Sequence, residues 1–514
     1  MRAADHLPDR FNAAHWFVGR HVAESRGESV AIVTDSGEMR YAELDDGVRR
    51  FASALRREGV HPGDRVALLL PDGPAFSVVF WGAIAAGAVA VPLNTQLTPA
   101  HLEKVLDDCE PRLFVFDPAC ATDPHLPEDT EAWTVSEASH RLQAADPHEE
   151  SGYARTHRDG PAFILYSSGT TGEPKGVVHL QHDAWICCRT YGEDVVRIRP
   201  NDRCFSIARL FFAYGLGNAQ YFPYDVGAAA VLFSGRPTPE AVFDQVRRHR
   251  PTLFFGVPTA YARMLAAMES GAEPDFSSVR SCASAGEALP PSVWERWRER
   301  TGLEILDGIG SSETCHCFIS NHPGDVRPGS SGRPVRGYDV RLVDERGADV
   351  PRGEIGDLLV RGDSTMSFYW NKHEATKRTL AGDWIRTGDK YREDGEGYFW
   401  HSGRSDDMLK IGGIWVSPVE VEAVLAAHAA VLECAVVARQ DGDGLVKAHA
   451  FVALREGAGP AGLFDAEGLR AFARERLEAY KCPRWVTVVP ELPKTATGKI
   501  QRFRLRESAE GAPD

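Results

Sequence analysis

The segment Tyr166-Ser-Ser-Gly-Thr-Thr-Gly-Glu-Pro-Lys175-Gly176 directly follows an apolar run, Ala162–Tyr166, that is typical of a buried strand. Its glycines allow the backbone to turn sharply and to bring N–H groups close to an anion. Hydroxyl groups and a positive charge are supplied by Ser167, Ser168, Thr170, Thr171 and Lys175. We therefore predict a loop that binds the phosphates of a nucleotide at the end of a strand, with an ordinary polar turn as the alternative.

The loop does not have the spacing of the common nucleotide-binding P-loop. That pattern, G-x-x-x-x-G-K-[ST], places glycine before the lysine, whereas here Pro174 precedes Lys175 and Gly176 follows it. The segment instead resembles the phosphate loop of the acyl-adenylate-forming enzymes. This superfamily includes acyl-CoA synthetases, the adenylation domains of peptide synthetases and firefly luciferase.

Length and composition limit the class of protein. A chain of 514 residues predicts more than one domain, and 43% hydrophobic residues suffice for a core without disulfides. The 58 Lys and Arg against 73 Asp and Glu give a net charge of −15, which argues against nonspecific nucleic-acid binding. The ten cysteines form no C-x-x-C pair, so reduced thiols and a cytoplasmic location are expected.

Neither a signal peptide nor a membrane span is predicted. The first nine residues have no apolar core of the signal-peptide type. The most apolar stretch, Val78–Val91, is shorter than the ~20 residues that cross a bilayer. We predict that it forms a buried helix that runs into a strand.

Strand-like and helical patterns alternate between residues 161 and 313. The predicted strands are Cys204–Ala208, Ala228–Phe233, Thr252–Val257 and Val279–Ser284, and the predicted helices are Glu240–His249, Thr259–Met268 and Pro290–Thr301. This alternation predicts an α/β fold in which helices flank the sheets. Ligands of such folds bind where loops leave the strand ends, and the motif loops fall there.

The pattern changes after residue 340. Short alternating segments between glycine-rich turns predict a small β subdomain from Val340 to Trp400. Further on, Ser417-Pro-Val-Glu420 predicts a capping box at the start of a helix. Strands at Glu433–Arg439 and Lys447–Leu454 and a helix at Leu469–Leu477 complete a smaller α+β C-terminal domain.

Further segments resemble the superfamily's other motifs, in the superfamily's order. They are Gly82–Asn94, Leu210-Phe-Phe-Ala-Tyr-Gly215, Ala285-Gly-Glu287, Gly308-Ile-Gly-Ser-Ser-Glu313, Arg386-Thr-Gly-Asp389, Gly403–Lys410 and Pro493-Lys-Thr-Ala-Thr-Gly-Lys499. The resemblance extends roughly from Tyr41 to Arg504. It implies an enzyme that uses ATP, Mg²⁺ and coenzyme A, activating a carboxylate as acyl-AMP before transfer to a thiol.

The resemblance also assigns the ATP site. It comprises Ser167, Ser168, Gly169, Thr170, Thr171, Lys175, Ala285, Gly286, Glu287, Asp307, Ile309, Gly310, Ser311, Ser312, Asp389 and Arg404. Asp389 and Arg404 would contact the ribose, because an ionised carboxylate accepts two O–H donors. Glu313, helped by Thr170, would bind Mg²⁺, which prefers few carboxylates together with phosphate oxygens. Ile309 lies where many relatives have a tyrosine that stacks on adenine; aryl-CoA ligases that resemble benzoate-CoA ligase also have an aliphatic residue there.

Catalysis and domain motion are likewise implied by the resemblance. Lys499 matches the catalytic lysine, whose charge relieves the repulsion between a carboxylate and the α-phosphate; Glu313 is the second expected catalytic residue. Asp406 matches the hinge about which the C-terminal domain reorients. We therefore expect an N-terminal domain over residues 1–404, a hinge at 405–407 and a mobile domain over 408–514. After reorientation, CoA would be bound by Lys410, Gly412 and Gly413.

The substrate pocket resembles that of benzoate-CoA-ligase-like enzymes. Its predicted residues are Ala213, Tyr214, Gly215, Gly310, His316 and Cys317. Cys315, His316 and Cys317 do not predict a zinc site, because adjacent side chains cannot all converge on one ion; core packing is the alternative role of His316. Cys317 is smaller than the aliphatic residue expected in a strict benzoate enzyme. We therefore predict a benzoate with a hydroxyl or amino group.

Some alternatives remain open. The acyl acceptor is either CoA or a carrier protein acting in trans, and a homodimer is an option for the oligomeric state, which the sequence does not determine. A non-catalytic aryl-binding protein disagrees with the presence of Lys175, Glu313, Asp389 and Lys499. A dehydrogenase is disfavoured because no segment completes G-x-G-x-x-G.

Four further residues are interpreted as structural. The two histidines, His179 and His182, are predicted at a helix N-terminus, and the two cysteines, Cys187 and Cys188, within a helix.

Overall fold

The computed structural model describes residues 2–121, 124–145, 152–168, 174–405, 407–411, 414–442, 445–455, 465–494 and 500–510. The strands, numbered in chain order, are β1 Val30–Thr34, β2 Gly37–Arg40, β3 Arg65–Leu69, β4 Val89–Pro92, β5 Leu113–Phe116, β6 Glu131–Thr134, β7 Pro161–Ser168, β8 Pro174–Leu180, β9 Arg203–Ser206, β10 Ala229–Val231, β11 Leu253–Gly256, β12 Ser281–Ser284, β13 Ile305–Gly310, β14 Cys317–Ser320, β15 Arg333–Pro334, β16 Asp339–Val343, β17 Ile355–Arg361, β18 Phe368–Tyr369, β19 Leu380–Ala381, β20 Trp384–Glu393, β21 Phe399–Arg404, β22 Leu409–Ile411, β23 Ile414–Val416, β24 Val431–Gln440, β25 Val446–Leu454 and β26 Trp485–Val488.

The α-helices are numbered in the same way. They are α1 Arg20–Ala23, α2 Tyr41–Arg57, α3 Pro74–Ala86, α4 Pro99–Cys109, α5 Val135–Ala144, α6 Asp183–Cys187, α7 Ala213–Leu216, α8 Phe222–Val226, α9 Pro239–His249, α10 Pro258–Glu269, α11 Pro291–Thr301, α12 His373–Thr379, α13 Pro418–Ala426, α14 Ala466–Arg474 and α15 Arg502–Glu510. Short 3₁₀ segments lie at Ala3–Asp5 and Ser312–Thr314, and π-helical segments at His15–Gly19, Cys188–Val196 and Gly217–Tyr221.

The chain divides into two compact units. One consists of residues 1–340 and 360–385, and the other of residues 341–359 and 386–514. The smaller unit thus includes residues 386–404, which the sequence analysis placed in the N-terminal domain. The hinge at residues 405–407 stays a prediction.

A nine-stranded sheet carries several of the motif loops. Its strand order is β15-β14-β13-β12-β11-β9-β10-β1-β2. Strands β9, β10, β11, β12 and β13 run parallel, so their carboxyl ends share one edge. The core beneath α9, α10 and α11 is aromatic, with the rings of Tyr261 and Trp297 packed edge-on at 4.8 Å. The edge formed by the carboxyl ends of the parallel strands is where a doubly wound α/β sheet binds ligands.

A seven-stranded sheet carries the predicted phosphate loop. Its order is β18-β8-β7-β4-β3-β5-β6. The antiparallel pair β7 and β8 flanks the loop, and Ser167 lies opposite Lys175. On the other side of β8, the short strand β18 places Tyr369 opposite Val177. Part of the predicted β subdomain therefore adds an edge strand to the sheet that carries the predicted phosphate loop.

The remaining strands form smaller sheets. One sheet has the order β16-β17-β20-β19, with β21 paired to β20. In the C-terminal region, β24, β25 and β26 form a three-stranded sheet, and its core includes residues of α13 and α14. The Ser417 hydroxyl accepts a hydrogen bond from the Glu420 N–H as predicted, but the Glu420 carboxylate pairs with Lys481 at 2.7 Å. The reciprocal half of the predicted capping box is therefore replaced by an ion pair.

The fold class inferred from the sequence is confirmed. The structure is mixed α/β, and each strand and helix predicted between residues 204 and 301 is present to within a few residues at each end. Val78–Val91 forms the end of α3 and the start of β4, as expected. In the described part of the chain, no helix combines the length and the apolar character needed to cross a membrane.

Candidate active site

The side chains of Lys175 and Glu313 both lie against the side chain of Tyr369. The Lys175 ammonium lies 5.5 Å from the centre of the Tyr369 ring, and the Tyr369 hydroxyl donates a 2.7 Å hydrogen bond to Glu313 Oε1. Strand β18 brings Tyr369 there by pairing with β8, the strand in which Lys175 lies. The structure thus places a cation and a carboxylate, both predicted to act at the ATP phosphates, against the same tyrosine.

Glu313 lies in a tightly supported turn. The Ser311 N–H donates to Thr314 Oγ1 at 3.0 Å at the start of the 3₁₀ segment. The carbonyl oxygen of Glu313 accepts a 2.7 Å hydrogen bond from the Met366 N–H, and that of Ser312 lies 2.7 Å from His179 Nε2. These bonds fix the backbone that orients the glutamate.

The predicted adenine-side residues follow β12 or lie in β13. Ala285, Gly286 and Glu287 come directly after the carboxyl end of β12, beside β13. In β13, burial raises the pKa of Asp307 to about 8, so this carboxyl carries a proton at neutral pH. Its Oδ2 accepts a 3.4 Å hydrogen bond from the Leu289 N–H, and Oδ1 has no partner among the described residues. Asp307 therefore offers a hydrogen-bond donor as well as an acceptor.

The predicted ribose-binding carboxylate lies in the other compact unit. Asp389 in β20 faces Arg404 in β21, with 3.2 Å between Asp389 Oδ1 and Arg404 Nη1. Burial alone would raise the pKa of Asp389, but His401 and Arg404 outweigh that effect and lower it. Gly388 has φ +76°, and a Cβ there would lie 2.9 Å from the Arg404 guanidinium, so the T-G-D turn requires glycine. Asp389 is thus ionised and ready to accept two hydroxyl donors.

The predicted substrate residues converge on His316. Ala213, Tyr214 and Gly215 form the first turn of α7, and Gly310 pairs with Cys317 across β13 and β14. Aromatic rings surround the buried imidazole, with centroid distances of 5.4 Å to Tyr214, 4.7 Å to Tyr191 and 4.6 Å to Phe222.

Burial also sets the charge around His316. It lowers the pKa of His316 to about 3 and raises that of the Cys317 thiol, so both groups are neutral near pH 7. His316 Nε2 lies 3.2 Å from Asn218 Oδ1. Within the described ranges, the buried Tyr214 hydroxyl and Asn218 Nδ2 make no hydrogen bond. Because unpaired buried polar atoms are unfavourable, a polar group that reached these atoms would be stabilised.

Several predicted residues lie outside the described part of the chain. They are Gly169, Thr170, Thr171, Asp406, Gly412, Gly413 and Lys499. Ser168 and Lys410 belong to described strands, β7 and β22. The roles given to these residues stay predictions.

Sequence reasoning missed three residues that contact candidate site residues. Tyr369 and His401 lie outside the segments that were assigned a role, although Tyr369 belongs to an aromatic run, Phe368-Tyr369-Trp370, that could have been noticed. His179 was predicted at a helix N-terminus, and this is wrong. It lies in β8 because the strand continues through the apolar pair Val177-Val178 to Leu180, whereas His182 does precede α6 as expected.

Magnesium chemistry is compatible with the residues around Glu313. One Glu313 oxygen is engaged by Tyr369, and a single carboxylate with phosphate oxygens is the donor set that Mg²⁺ prefers. No cluster of three or more His, Cys, Asp or Glu suited to a metal occurs among the described residues.

The chain belongs to the family of AMP-binding enzymes. The model of the AMP-binding enzyme family matches residues 19–370, and that of the AMP-binding enzyme C-terminal domain matches residues 420–499. The chain is 46% identical over 512 residues to benzoate–CoA ligase of Thauera aromatica, covering 98% of this chain and 97% of that protein. It is 44% identical over 516 residues to 4-hydroxybenzoate–CoA/benzoate–CoA ligase of Rhodopseudomonas palustris, covering 98% and 95%.

Solved structures give the same relationship. The crystal structure of the anthranilate CoA ligase AuaEII in complex with anthranoyl-AMP matches with a TM-score of 0.91 and 40% identity, covering 99% of both chains. The superfamily resemblance inferred from the motifs is therefore confirmed.

Proposed function

We propose that this chain is an ATP-dependent aryl-acid:CoA ligase. In the first half-reaction, a carboxylate oxygen attacks the α-phosphate of ATP, giving acyl-AMP and releasing pyrophosphate. In the second, a thiol attacks the acyl carbon, the bond to AMP breaks, and the thiol proton is released. Similarity over almost the whole chain to ligases named for benzoate, 4-hydroxybenzoate and anthranilate supports this reaction class.

The observation that carries the substrate proposal is the group of buried atoms around His316. Aromatic rings on several sides favour a flat ring over a flexible acyl chain. The unpaired Tyr214 hydroxyl and Asn218 amide favour a ring with a hydrogen-bonding group. We infer that the preferred acid is a benzoate with a hydroxyl or amino substituent, for which the small Cys317 leaves room.

The nucleotide would be held by groups of known charge. Lys175 supplies a positive point charge beside the phosphate loop, and the ionised Asp389 would accept the ribose hydroxyls. Glu313 and Thr170 would hold Mg²⁺, which supplies charge neutralisation at the phosphate oxygens when bound. Lys499 would stabilise the negative charge that develops at the α-phosphate.

The acceptor in the second half-reaction is proposed to be CoA. Lys410 and the pair Gly412-Gly413 would form the narrow passage for the pantetheine arm, since glycine leaves the backbone accessible. Transfer to a carrier protein in trans is the second candidate, and it differs only in what delivers the thiol.

A two-part assay tests the proposal. Pyrophosphate release is measured with benzoate, its hydroxy and amino derivatives, cinnamate and octanoate, and the products are then analysed for acyl-CoA after CoA addition. We expect the highest kcat/KM for a hydroxy- or aminobenzoate, with stoichiometric aryl-CoA formation. Preference for octanoate would contradict the aryl pocket. Adenylate formation without CoA consumption would favour the carrier-protein alternative.

A further inference from the structure

His179 is buried between two hydrogen-bond acceptors. Its Nδ1 lies 2.7 Å from Asp183 Oδ2, and its Nε2 lies 2.7 Å from the carbonyl oxygen of Ser312. The side chains of His179 and Asp183 are both fully buried. Asp183 Oδ2 also accepts a 3.1 Å hydrogen bond from the Leu180 N–H, which keeps the carboxylate in place.

This geometry determines the direction of the second hydrogen bond. A carbonyl oxygen can only accept, so Nε2 of His179 must carry a proton and donate it to Ser312. The 2.7 Å contact between Asp183 and the opposite nitrogen, Nδ1, orients the ring. The imidazole therefore acts as a rigid two-ended link, with Asp183 at one end and the Ser312 carbonyl at the other.

The link joins the two halves of the phosphate site within one compact unit. His179 lies in β8, which begins at the phosphate loop and contains Lys175. Ser312 immediately precedes Glu313, and it is 133 residues from His179 in the chain. Tyr369, in the strand paired with β8, makes a second connection to Glu313 through its side chain. His179 fixes the backbone of the Glu313 turn, whereas Tyr369 fixes the carboxylate.

We propose that His179 is a positioning residue for adenylate formation: oriented by Asp183, it holds the Ser312 carbonyl and thereby fixes Glu313 relative to Lys175. This role rests on the proposed function. Among the described residues, the hydrogen bonds of His179 go to Asp183 and to the Ser312 carbonyl rather than to the carboxylate of Glu313, so its effect is on geometry. Misplacing a catalytic group by about 1 Å can cost on the order of 10²-fold in rate.

Two matched substitutions separate positioning from mere packing. In His179→Asn, the amide nitrogen can replace Nδ1 and keep the contact to Asp183, but it cannot reach Ser312. In His179→Gln, the longer amide can replace Nε2 and keep the contact to Ser312. Both variants remove the ring and its stacking on Phe163, whose centroid lies 5.0 Å away, so both carry a similar packing loss. His182→Gln controls for loss of a neighbouring buried histidine, which contacts the carbonyl oxygens of Arg158 and Asp363 and lies 3.3 Å from Asp183 Oδ1, the carboxylate oxygen that His179 does not use.

The measurements are the rate of pyrophosphate release, KM for ATP and for the aryl acid, AMP binding by calorimetry, and thermal unfolding. We expect kcat for adenylate formation to fall by at least about 10-fold in His179→Asn and to stay within about 3-fold of wild type in His179→Gln. KM for the aryl acid and thioester formation from synthetic acyl-AMP should be unchanged in both. Equal losses in the two variants, or a loss that follows the melting temperature, would overturn the proposal.

A double-mutant cycle with Glu313→Gln gives an independent test. If His179 acts through Glu313, adding His179→Asn to Glu313→Gln should cost less than about 3-fold in adenylate formation, because the group that it positions is already disabled. Additive losses would show that His179 does not act through Glu313. If the wild-type protein forms no acyl-AMP from any aryl acid, the proposed function fails instead, so the two failures are distinguishable.

Discussion

Environment decides the charge of individual carboxyl groups in this protein. Asp307 and Asp389 are both assigned to the ATP site and both lie on strands, yet their pKa values shift in opposite directions. Among the described residues no cation lies beside Asp307, so burial dominates and keeps it protonated near neutral pH. Asp389 is next to Arg404 and His401, which favour its ionised form. The same residue type therefore supplies a hydrogen-bond donor at one position and an ionised acceptor at the other.

The raised pKa of Asp307 predicts how stability depends on pH. The folded chain keeps this proton up to about pH 8, whereas an unfolded aspartate loses it near pH 4. The folded state thus binds more protons in that window, and the free energy of unfolding should fall as pH rises, by up to about 1.4 kcal/mol per pH unit. Asp307→Asn should flatten this slope in urea titrations from pH 5 to 8. The exposed control Glu299→Gln should leave it unchanged, and an unaltered slope in Asp307→Asn would refute the assignment.

Cys317 predicts substrate selection at the scale of one side chain. It lies opposite Gly310 and is buried beside His316, so a larger residue there would occupy space proposed for the ring substituent. A methylene-sized change in a pocket shifts discrimination by ~1–3 kcal/mol. Cys317→Ile should therefore lower kcat/KM for substituted benzoates by roughly 10–200-fold and spare benzoate itself. Steady-state kinetics on both acids decide this, and a uniform effect on all rings would contradict the pocket assignment.

At the scale of elements, the hairpin of β13 and β14 connects residues predicted to bind the nucleotide with residues predicted to bind the substrate. It carries Ile309 and Gly310 on one strand and Cys317 on the other, with Glu313 and His316 in the connection. The strands approach closely at Gly310, where an added Cβ would lie 2.5 Å from the His316 carbonyl oxygen. A backbone shift in this hairpin would therefore move residues predicted for both parts of the site.

Gly310→Ala tests the importance of that close approach. The clash is with backbone atoms, so the strands must separate, which typically costs about 1–3 kcal/mol of unfolding free energy. We expect a lower melting temperature together with a higher KM for the aryl acid. Gly395→Ala is the matched control, because a Cβ at that turn would meet no atom within 4 Å. Wild-type kinetics in Gly310→Ala would show that the hairpin tolerates the shift.

On the scale of the whole molecule, the two half-reactions are predicted to use different residues of the C-terminal region. Lys499→Ala should slow adenylate formation by on the order of 10²-fold or more, the range for a lost electrostatic stabiliser, and should retain thioester formation from synthetic acyl-AMP. Asp406→Pro should do the reverse, because proline restricts the proposed hinge while pyrophosphate release continues.

Single-turnover assays of each half-reaction measure this division. Lys494→Ala is the control for Lys499, since Lys494 belongs to the same segment and forms an ion pair with Glu433. Equal loss of both half-reactions in Lys499→Ala would contradict a role in adenylation alone. Full turnover in Asp406→Pro would exclude Asp406 as the hinge.

Local pattern determined much of this protein's fold and family. The apolar run before the phosphate loop, the alternation of strands and helices to residue 313, and the ordered motifs are local in sequence, and periodicity and turn chemistry act at that range. They were sufficient to predict the α/β fold, the family and the candidate roles of Lys175, Glu313 and Asp389.

Tertiary structure alone decided which distant residues support those groups. Tyr369 reaches Glu313 across 56 residues because β18 pairs with β8, and His179 reaches Ser312 across 133 residues. The pKa shifts of Asp307 and His316 also depend on burial by segments far away in the chain. Such contacts arise when strands from different parts of the chain come together, and the pattern within a single strand contains no information about which neighbour it will meet.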